Sequence, residues 1–203
     1  RRVIVVDDLF LCSLDNLRSA LADPRARFVR ADASDRQEME RLLAGESCDV
    51  VFHLATRALL YSFENPRRAF QINVELVRAL LSLQRRGAFQ TLIHFSSSEV
   101  YGSLENRTLD ESSPSRPTTP YAAGKAAADR MVRNEVDRSG IDATIVRPFN
   151  TYGPRQNWTR GFQALIPRAA SRMARGLPLA IQGDGGQSRD FLYVADTVRG
   201  ALA

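Results

Sequence analysis

Short apolar runs alternate with helical stretches along all 203 residues, and no internal repeat or low-complexity segment interrupts them. Val3–Val6 is a continuous β-branched run, the pattern of a buried strand. Further strands are predicted at Arg27–Arg30, Asp49–Leu54, Thr91–Phe95, Ile141–Arg147 and Leu179–Gln182. Between them apolar residues recur at helical spacing. This predicts helices from Asp35 to Ala44, from Pro66 to Arg86 with a stop at Gly87, from Pro120 to Ser139, and over Gly161–Arg175. Ser112–Pro120 reads as a proline-rich loop. Strands alternating with helices predict an α/β fold, a parallel sheet with both faces covered.

Ligands of such sheets bind beyond the carboxyl ends of the strands. Asp7 and Asp8 follow the first run, Asp32 the second, and His53 to Thr56 the third; Ser96–Glu99 follow the fourth, and Phe149-Asn150 the fifth. One polar residue after a strand is ordinarily a turn former or helix cap. Five consecutive ends of this kind predict a nucleotide lying along that edge.

Composition narrows the classes. A hydrophobic content of 44% is enough for a core, and the net charge of +5 comes from scattered arginines. No basic tract is interleaved with aromatics, so a nucleic-acid partner is not expected. Cys12 and Cys48 are too few and too isolated for a disulfide framework or a metal site. No run has transmembrane length and no signal peptide is visible, so no membrane partner and a cytoplasmic location are expected.

The chain has one lysine, Lys125, four positions after Tyr121 in Pro120-Tyr121-Ala122-Ala123-Gly124-Lys125. Pro120 suits a helix entrance and the alanines favour a helix. Tyr121 and Lys125 would then share one face. A free tyrosine titrates near pH ~10. A neighbouring ammonium favours the phenolate, which makes Tyr121 a candidate general base.

Six segments together resemble the extended short-chain dehydrogenase/reductases, specifically the NAD-dependent nucleotide-sugar epimerases and dehydratases. They are Val5-Val6-Asp7-Asp8-Leu9, Phe52-His53-Leu54-Ala55, Ser96-Ser97-Ser98-Glu99-Val100-Tyr101-Gly102, Pro120–Lys125, Arg147-Pro148-Phe149-Asn150-Thr151-Tyr152-Gly153-Pro154 and Arg189-Asp190-Phe191-Leu192-Tyr193-Val194-Ala195-Asp196. Their order and spacing match the family over nearly the whole chain.

The resemblance implies a doubly wound, NAD-binding Rossmann-type sheet, with residues 1–178 serving the cofactor and 179–203 opening the substrate region. It implies that Asp7 holds the adenosine ribose, which favours NAD over NADP because an acid repels a 2′-phosphate. Asp32 would lie near the adenine, and Ala55 near the pyrophosphate. Asp8, Ala33, Leu54, Thr56, Asn73 and Phe149 also fall along the cofactor. Tyr121 would take the proton of the sugar 4-hydroxyl, with Lys125 holding the nicotinamide ribose and Ser97 hydrogen-bonding substrate and tyrosine. Ser98 and Asn150 would contact the nucleotide-diphosphate sugar, and Arg189 its phosphates. A homodimer is the family expectation.

Glu99 bears on the reaction. The family's dehydratases commonly carry Asp-Glu after the Ser/Thr; here the pair is Ser98-Glu99. That favours a 4,6-dehydratase-like activity with Glu99 as acid/base. A 4-epimerase in which Glu99 is structural, and a UDP-glucuronate decarboxylase, remain alternatives. A noncatalytic nucleotide-binding protein is the alternative from another class, and the presence of both Tyr121 and Lys125 argues against it.

The family's glycine-rich fingerprint should precede Asp7 by about 20 residues. Residue 1 lies only six positions before it, and no such loop occurs elsewhere. The expectation is that the first strand, the phosphate loop and the end of the substrate region lie outside these residues. Val3–Val6 and Asp49–Leu54 should then each show an open apolar edge, and this chain alone should bind NAD poorly. His53 and His94 read as core histidines and Tyr101 as packing. Trp158 is ambiguous between substrate contact and surface packing, and Tyr152 has no assignment.

Overall fold

The computed structural model describes residues 1–103, 108–157, 164–181 and 183–203. Trp158, Gln182 and the start of the helix expected over Gly161–Arg175 lie outside the described residues. In chain order the elements are β1 (Val3–Asp7), α1 (Arg18–Leu21), β2 (Ala26–Arg30), α2 (Arg36–Ala44), β3 (Cys48–His53), α3 (Leu59–Glu64), α4 (Pro66–Arg85), β4 (Phe89–Phe95), α5 (Pro120–Ser139), β5 (Asp142–Val146), β6 (Asn150–Tyr152), α6 (Leu165–Met173), β7 (Phe191–Tyr193) and α7 (Val194–Leu202). Two 3-10 turns, Leu14–Leu17 and Ser98–Tyr101, complete them. The chain forms two compact units, one of Arg1–Asp8 with Arg25–Arg147 and one of Leu9–Pro24 with Pro148–Ala203.

All strand pairs in the first unit are parallel. β1 pairs with β2 in register Val3–Ala26 to Asp7–Arg30. β4 lies between β3 and β5, with His53 beside His94 and Phe95 beside Val146. β1 and β3 are not hydrogen-bonded to each other, so each keeps an open edge, as expected. Val3 is 55% exposed, and Val50, Phe52 and Leu54 are also exposed.

The core sits on the other side of that contrast. α4 buries Ala69, Leu76, Val77, Leu80, Leu81 and Leu83, the three- and four-residue spacing of one helical face. α5 presents small residues, Ala122, Gly124 and Ala128, and so lies close against α4. A Cβ on Gly124 would come within 3.3 Å of the Asn73 Cβ. Met39 and Leu43 of α2, Phe89 and Leu92 of β4 and Val132 of α5 fill the cluster. The Gln84 amide donates to the carbonyls of Gln90 (2.7 Å) and Asp142 (2.8 Å), which pins the end of α4 across the starts of β4 and β5.

In the second unit β6 and β7 are parallel, paired from Asn150–Phe191 to Tyr152–Tyr193. Tyr152 packs edge-on to Phe191 at 6.5 Å between ring centres and against Tyr193 at 5.6 Å. Its position in this aromatic cluster gives Tyr152 a packing role. The strand expected at Leu179–Gln182 is not formed over residues 179–181. Leu179 and Ile181 stay exposed, and an apolar run without a pairing partner has no ladder to join.

Candidate active site

The carboxyl end of β4 carries the densest group of polar residues. Ser97 adopts extended backbone and caps the following 3-10 turn, its hydroxyl accepting from the Glu99 N–H at 3.2 Å. Gly102 ends that turn at φ 69° and ψ −159°, a region essentially reserved for glycine. The Arg116 N–H and the Ser115 hydroxyl both donate to the Val100 carbonyl, at 2.9 and 3.1 Å, so the loop before α5 is sewn to the turn. α5 itself starts at Thr119, whose hydroxyl accepts from the Ala122 N–H at 3.1 Å. Pro120 occupies the first helical position.

These local structures bring Ser97, Glu99 and Tyr121 together. Burial pushes the Tyr121 phenol above its usual range; the polar influence of Ser97 opposes this and the Glu99 charge adds to it. Lys125 was expected to depress that pKa, and the structure differs. Its ammonium is buried and donates to the Phe95 carbonyl at 2.7 Å. Burial lowers Lys125 to about 8, with the Asp129 carboxylate pulling the other way. Ser98, at the start of the turn, is half-buried. Among the described residues the Glu99 carboxylate takes no hydrogen bond or ion pair and is half-buried.

Beneath Lys125 lies a buried polar chain. His53 and His94 stack at 5.1 Å with their Nδ1 atoms 2.9 Å apart. The His94 Nε2 faces the Asp129 Oδ1 at 3.5 Å. Arg147 donates from Nε to the Asp129 Oδ2 at 2.8 Å and from Nη1 to the Tyr101 hydroxyl at 3.0 Å. The expected core positions of the two histidines and Tyr101 are thus observed, but as members of one network. Asp129 and Arg147 had no part in the expected site, although Asp129 follows Lys125 by the same four residues that separate Lys125 from Tyr121.

The remaining predicted residues of the first unit fall on the neighbouring strand ends. Asp7 ends β1 and is half-buried, and its carbonyl accepts from the Ala31 N–H at 3.3 Å. Asp8 pairs with Arg57 at 2.7 Å. Asp32 caps its own turn through the Ser34 N–H and hydroxyl, at 2.9 and 2.7 Å. Burial favours its neutral form, but the Ser34 bonds and the Arg57 and Arg68 charges outweigh it and hold the carboxyl low. Ala33 packs on the core. After β3, Leu54 is exposed while Ala55 and Thr56 are half-buried. Asn73 is buried and accepts from the Thr56 hydroxyl (3.0 Å) and the Arg57 N–H (2.8 Å) while donating to the Arg57 carbonyl. Its amide is occupied in shaping the loop after β3.

Phe149, Asn150 and Arg189 belong to the second unit. The Asn150 amide donates to the Asp190 carbonyl at 3.1 Å, and the exposed Arg189 to the Ser188 carbonyl at 2.7 Å. A depression of about 410 Å³, lined in part by Gln84, Gln90, Gly140 and Asp142, lies at the amino ends of β4 and β5, the opposite edge from Ser97.

The sequence profile of the NAD dependent epimerase/dehydratase family matches residues 2–203. A dTDP-glucose 4,6-dehydratase of an Actinoplanes strain is 36% identical over 205 residues, covering 100% of this chain and 62% of its own length. The crystal structure of a dTDP-glucose 4,6-dehydratase double mutant from Streptomyces venezuelae with NAD bound superposes with a TM-score of 0.88 at 32% identity, over 98% of this chain and 61% of the other. A UDP-glucose 4-epimerase from Thermotoga maritima, solved with UDP-glucose, gives a TM-score of 0.91 at 30% identity, over 99% of this chain and 64% of the other. The chain therefore spans somewhat less than two thirds of the length of these relatives. A match over all but the first residue, carried by the strand-end motifs described above, places the chain in the NAD-dependent epimerase/dehydratase family.

Proposed function

We propose that this protein is an NAD-dependent enzyme that oxidises the sugar of a nucleoside-diphosphate sugar at C4 and eliminates water between C5 and C6, a 4,6-dehydratase-like reaction. The observation that carries the choice of reaction is Glu99: its half-buried carboxylate is close enough to Tyr121 to raise the phenol's pKa. Among the described residues it is committed to no structural hydrogen bond. A carboxylate serving only to hold the turn would be engaged by it.

The donor set fits a dinucleotide. An acid ends β1, a second follows β2, and Thr56 and a shaped loop follow β3, all on the carboxyl edge of parallel strands. Asp7 would hold the adenosine ribose, Asp32 would lie near the adenine, and Ala55 with its neighbours would pass the pyrophosphate. Bound NAD would supply the acceptor for the C4 hydride and, when oxidised, a positive charge.

Tyr121 accepts the proton of the sugar 4-hydroxyl, while the Ser97 hydroxyl holds the oxygen and the phenol in one line. Lys125, one turn further along the same helix face, would hold the nicotinamide ribose, and the positive charge of oxidised NAD would favour the phenolate. Oxidation at C4 acidifies the C5 proton. Glu99 removes it and delivers a proton to the departing C6 hydroxyl; the hydride taken from C4 would be returned at C6 and a proton at C5, so that the net change is the loss of one water. Asn150 and Arg189 would bind the diphosphate side. In this reading residues 1–178 serve the nucleotide cofactor and 179–203 open the substrate region, in a cytoplasmic homodimer.

The test is incubation with NAD⁺ and UDP-, dTDP- and GDP-sugars, with the products weighed by mass spectrometry. Loss of 18 mass units (~18, one water) supports the dehydratase reading. An isomer of unchanged mass makes the protein a 4-epimerase and Glu99 a bystander, and loss of carbon dioxide makes it a decarboxylase.

A further inference from the structure

The chain beneath Lys125 consists of ionisable groups that the proposed reaction does not use. Lys125 shares the buried face of α5 with Asp129 and lies one turn beyond Tyr121. Its charge acts on His53 of β3 and His94 of β4. His94 faces Asp129, and Arg147, just after β5, binds Asp129 and the Tyr101 hydroxyl of the 3-10 turn. α4 places the uncharged Phe70 and Asn73 next to Gly124.

The 2.9 Å contact between the two Nδ1 atoms needs one donor and one acceptor, so at least one of the two rings is neutral. Burial, together with the Lys125 charge, pushes both histidines below their ordinary range. Asp129 stays ionised: burial favours its neutral form, but the polar groups of His94 and Ser96 around it and the Arg147 guanidinium at 2.8 Å outweigh it.

We propose that Asp129 is a positioning residue for Lys125: its carboxylate, held in place by Arg147 and buried one helical turn beyond the lysine on the same face of α5, is the counter-charge that keeps Lys125 a cation at neutral pH. Among the described residues the lysine ammonium is anchored by the Phe95 carbonyl, which orients it but carries no full charge. In a site this dry, a carboxylate of opposite sign shifts a titration by about 1 to 3 pH units. This inference rests on the reading of Tyr121 and Lys125 as the reacting pair for its consequence in catalysis, but not for its charge relation.

The single lysine makes the test direct. The protein is prepared with lysine labelled with carbon-13 at Cε, the Lys125 signal is assigned with Lys125→Arg, and its shift is followed against pH. The wild type is expected to titrate near 8. Asp129→Asn should move the midpoint down by about 1 pH unit or more, Asp129→Glu should restore it, and Arg147→Gln, which releases the carboxylate and removes a cation, should move it up. Opposite signs cannot come from loosening of the helix. An unchanged midpoint in folded Asp129→Asn, or shifts of the same sign in Asp129→Asn and Arg147→Gln, would overturn the proposal; if Asp129→Asn does not fold, an unchanged or lowered midpoint in Arg147→Gln overturns it. With nucleotide sugars as substrates, the high-pH fall in kcat of Asp129→Asn should move down in step with the lysine midpoint. If no sugar is turned over, the functional reading fails while the titration still decides the role of Asp129.

Discussion

The two units differ in what they bury. Every buried residue among the described ones lies in the first unit, from Ala31 to Val132. In the second, α6 and α7 bury nothing, and Leu165, Met173, Ile181 and Leu202 are each more than half exposed. Ser97, Tyr121 and Lys125 therefore stand on packed elements that cannot shift without disturbing a core. Asn150 and Arg189 stand on a surface held by short strands and an aromatic cluster. Chemistry at fixed distance sits where packing is dense.

Core truncation should break that contrast most strongly. Leu92, 0% exposed at the centre of β4, should cost about 2–5 kcal/mol when replaced by alanine. Ile181→Ser in the second unit, 72% exposed, should stay within about 0.5 kcal/mol. Urea unfolding followed by circular dichroism measures both, and similar losses would mean that the second unit shares the core's stability.

Lys125 gives the next effect, with a pH signature. Its folded-state value is about 8 against 10.5 ordinarily, so between these limits the unfolded chain holds the extra proton and stability rises with pH. The rise should total about 3 kcal/mol. Lys125→Met should abolish it and raise the urea midpoint at pH ~7, less about 1 kcal/mol for the lost bond to Phe95. The exposed Arg189, changed to methionine, should leave the slope intact.

Gly102 tests the seam between turn and loop. A Cβ there would meet the Arg116 carbonyl oxygen at 2.0 Å, and φ is already 69°. Gly102→Ala should cost about 2 kcal/mol. Because Ser97 and Glu99 ride on the same turn, turnover should fall by more than the lost stability explains. Assay well below the unfolding transition separates the two losses.

Much of the first unit is legible in the chain. The apolar spacing of Pro66–Arg85 reports its buried face and the Tyr121–Lys125 spacing a shared helix face; the run Val3–Asp7 reports its strand but not its burial, because β1 leaves every residue at least partly exposed at its open edge. What is not legible is long-range. Nothing local says that His53 and His94, 41 residues apart, will share a hydrogen bond, or that Arg147 will hold Asp129. The direction of the Tyr121 shift fails for the same reason: spacing gives the face, but not the Phe95 carbonyl that draws the ammonium to itself. β6, β7 and α7 are missed because three-residue strands carry no readable period, and the motif Arg189–Asp196 shows as composition, not as a strand joined to a helix.

The smallest expected effects come from the helix entrances, where the units differ again. α5 begins with a threonine cap and a proline and ends on Gly140 in the left-handed conformation. α6 begins at Ala164, extended at φ −70° and ψ 164° but with no side chain to accept from its first N–H groups. Thr119→Ala should therefore cost about 1 kcal/mol, and Ala164→Ser should gain somewhat less, because its backbone already has the conformation a cap requires. Hydrogen exchange at the first turn of each helix reads both changes. Protection should fall at Ala122 in the first variant and rise at the start of α6 in the second. If Ala164→Ser gives no protection while Thr119→Ala costs the full amount, then α6 is limited by missing tertiary packing and not by its cap. That would make the contrast between the units one of burial down to the single helical turn.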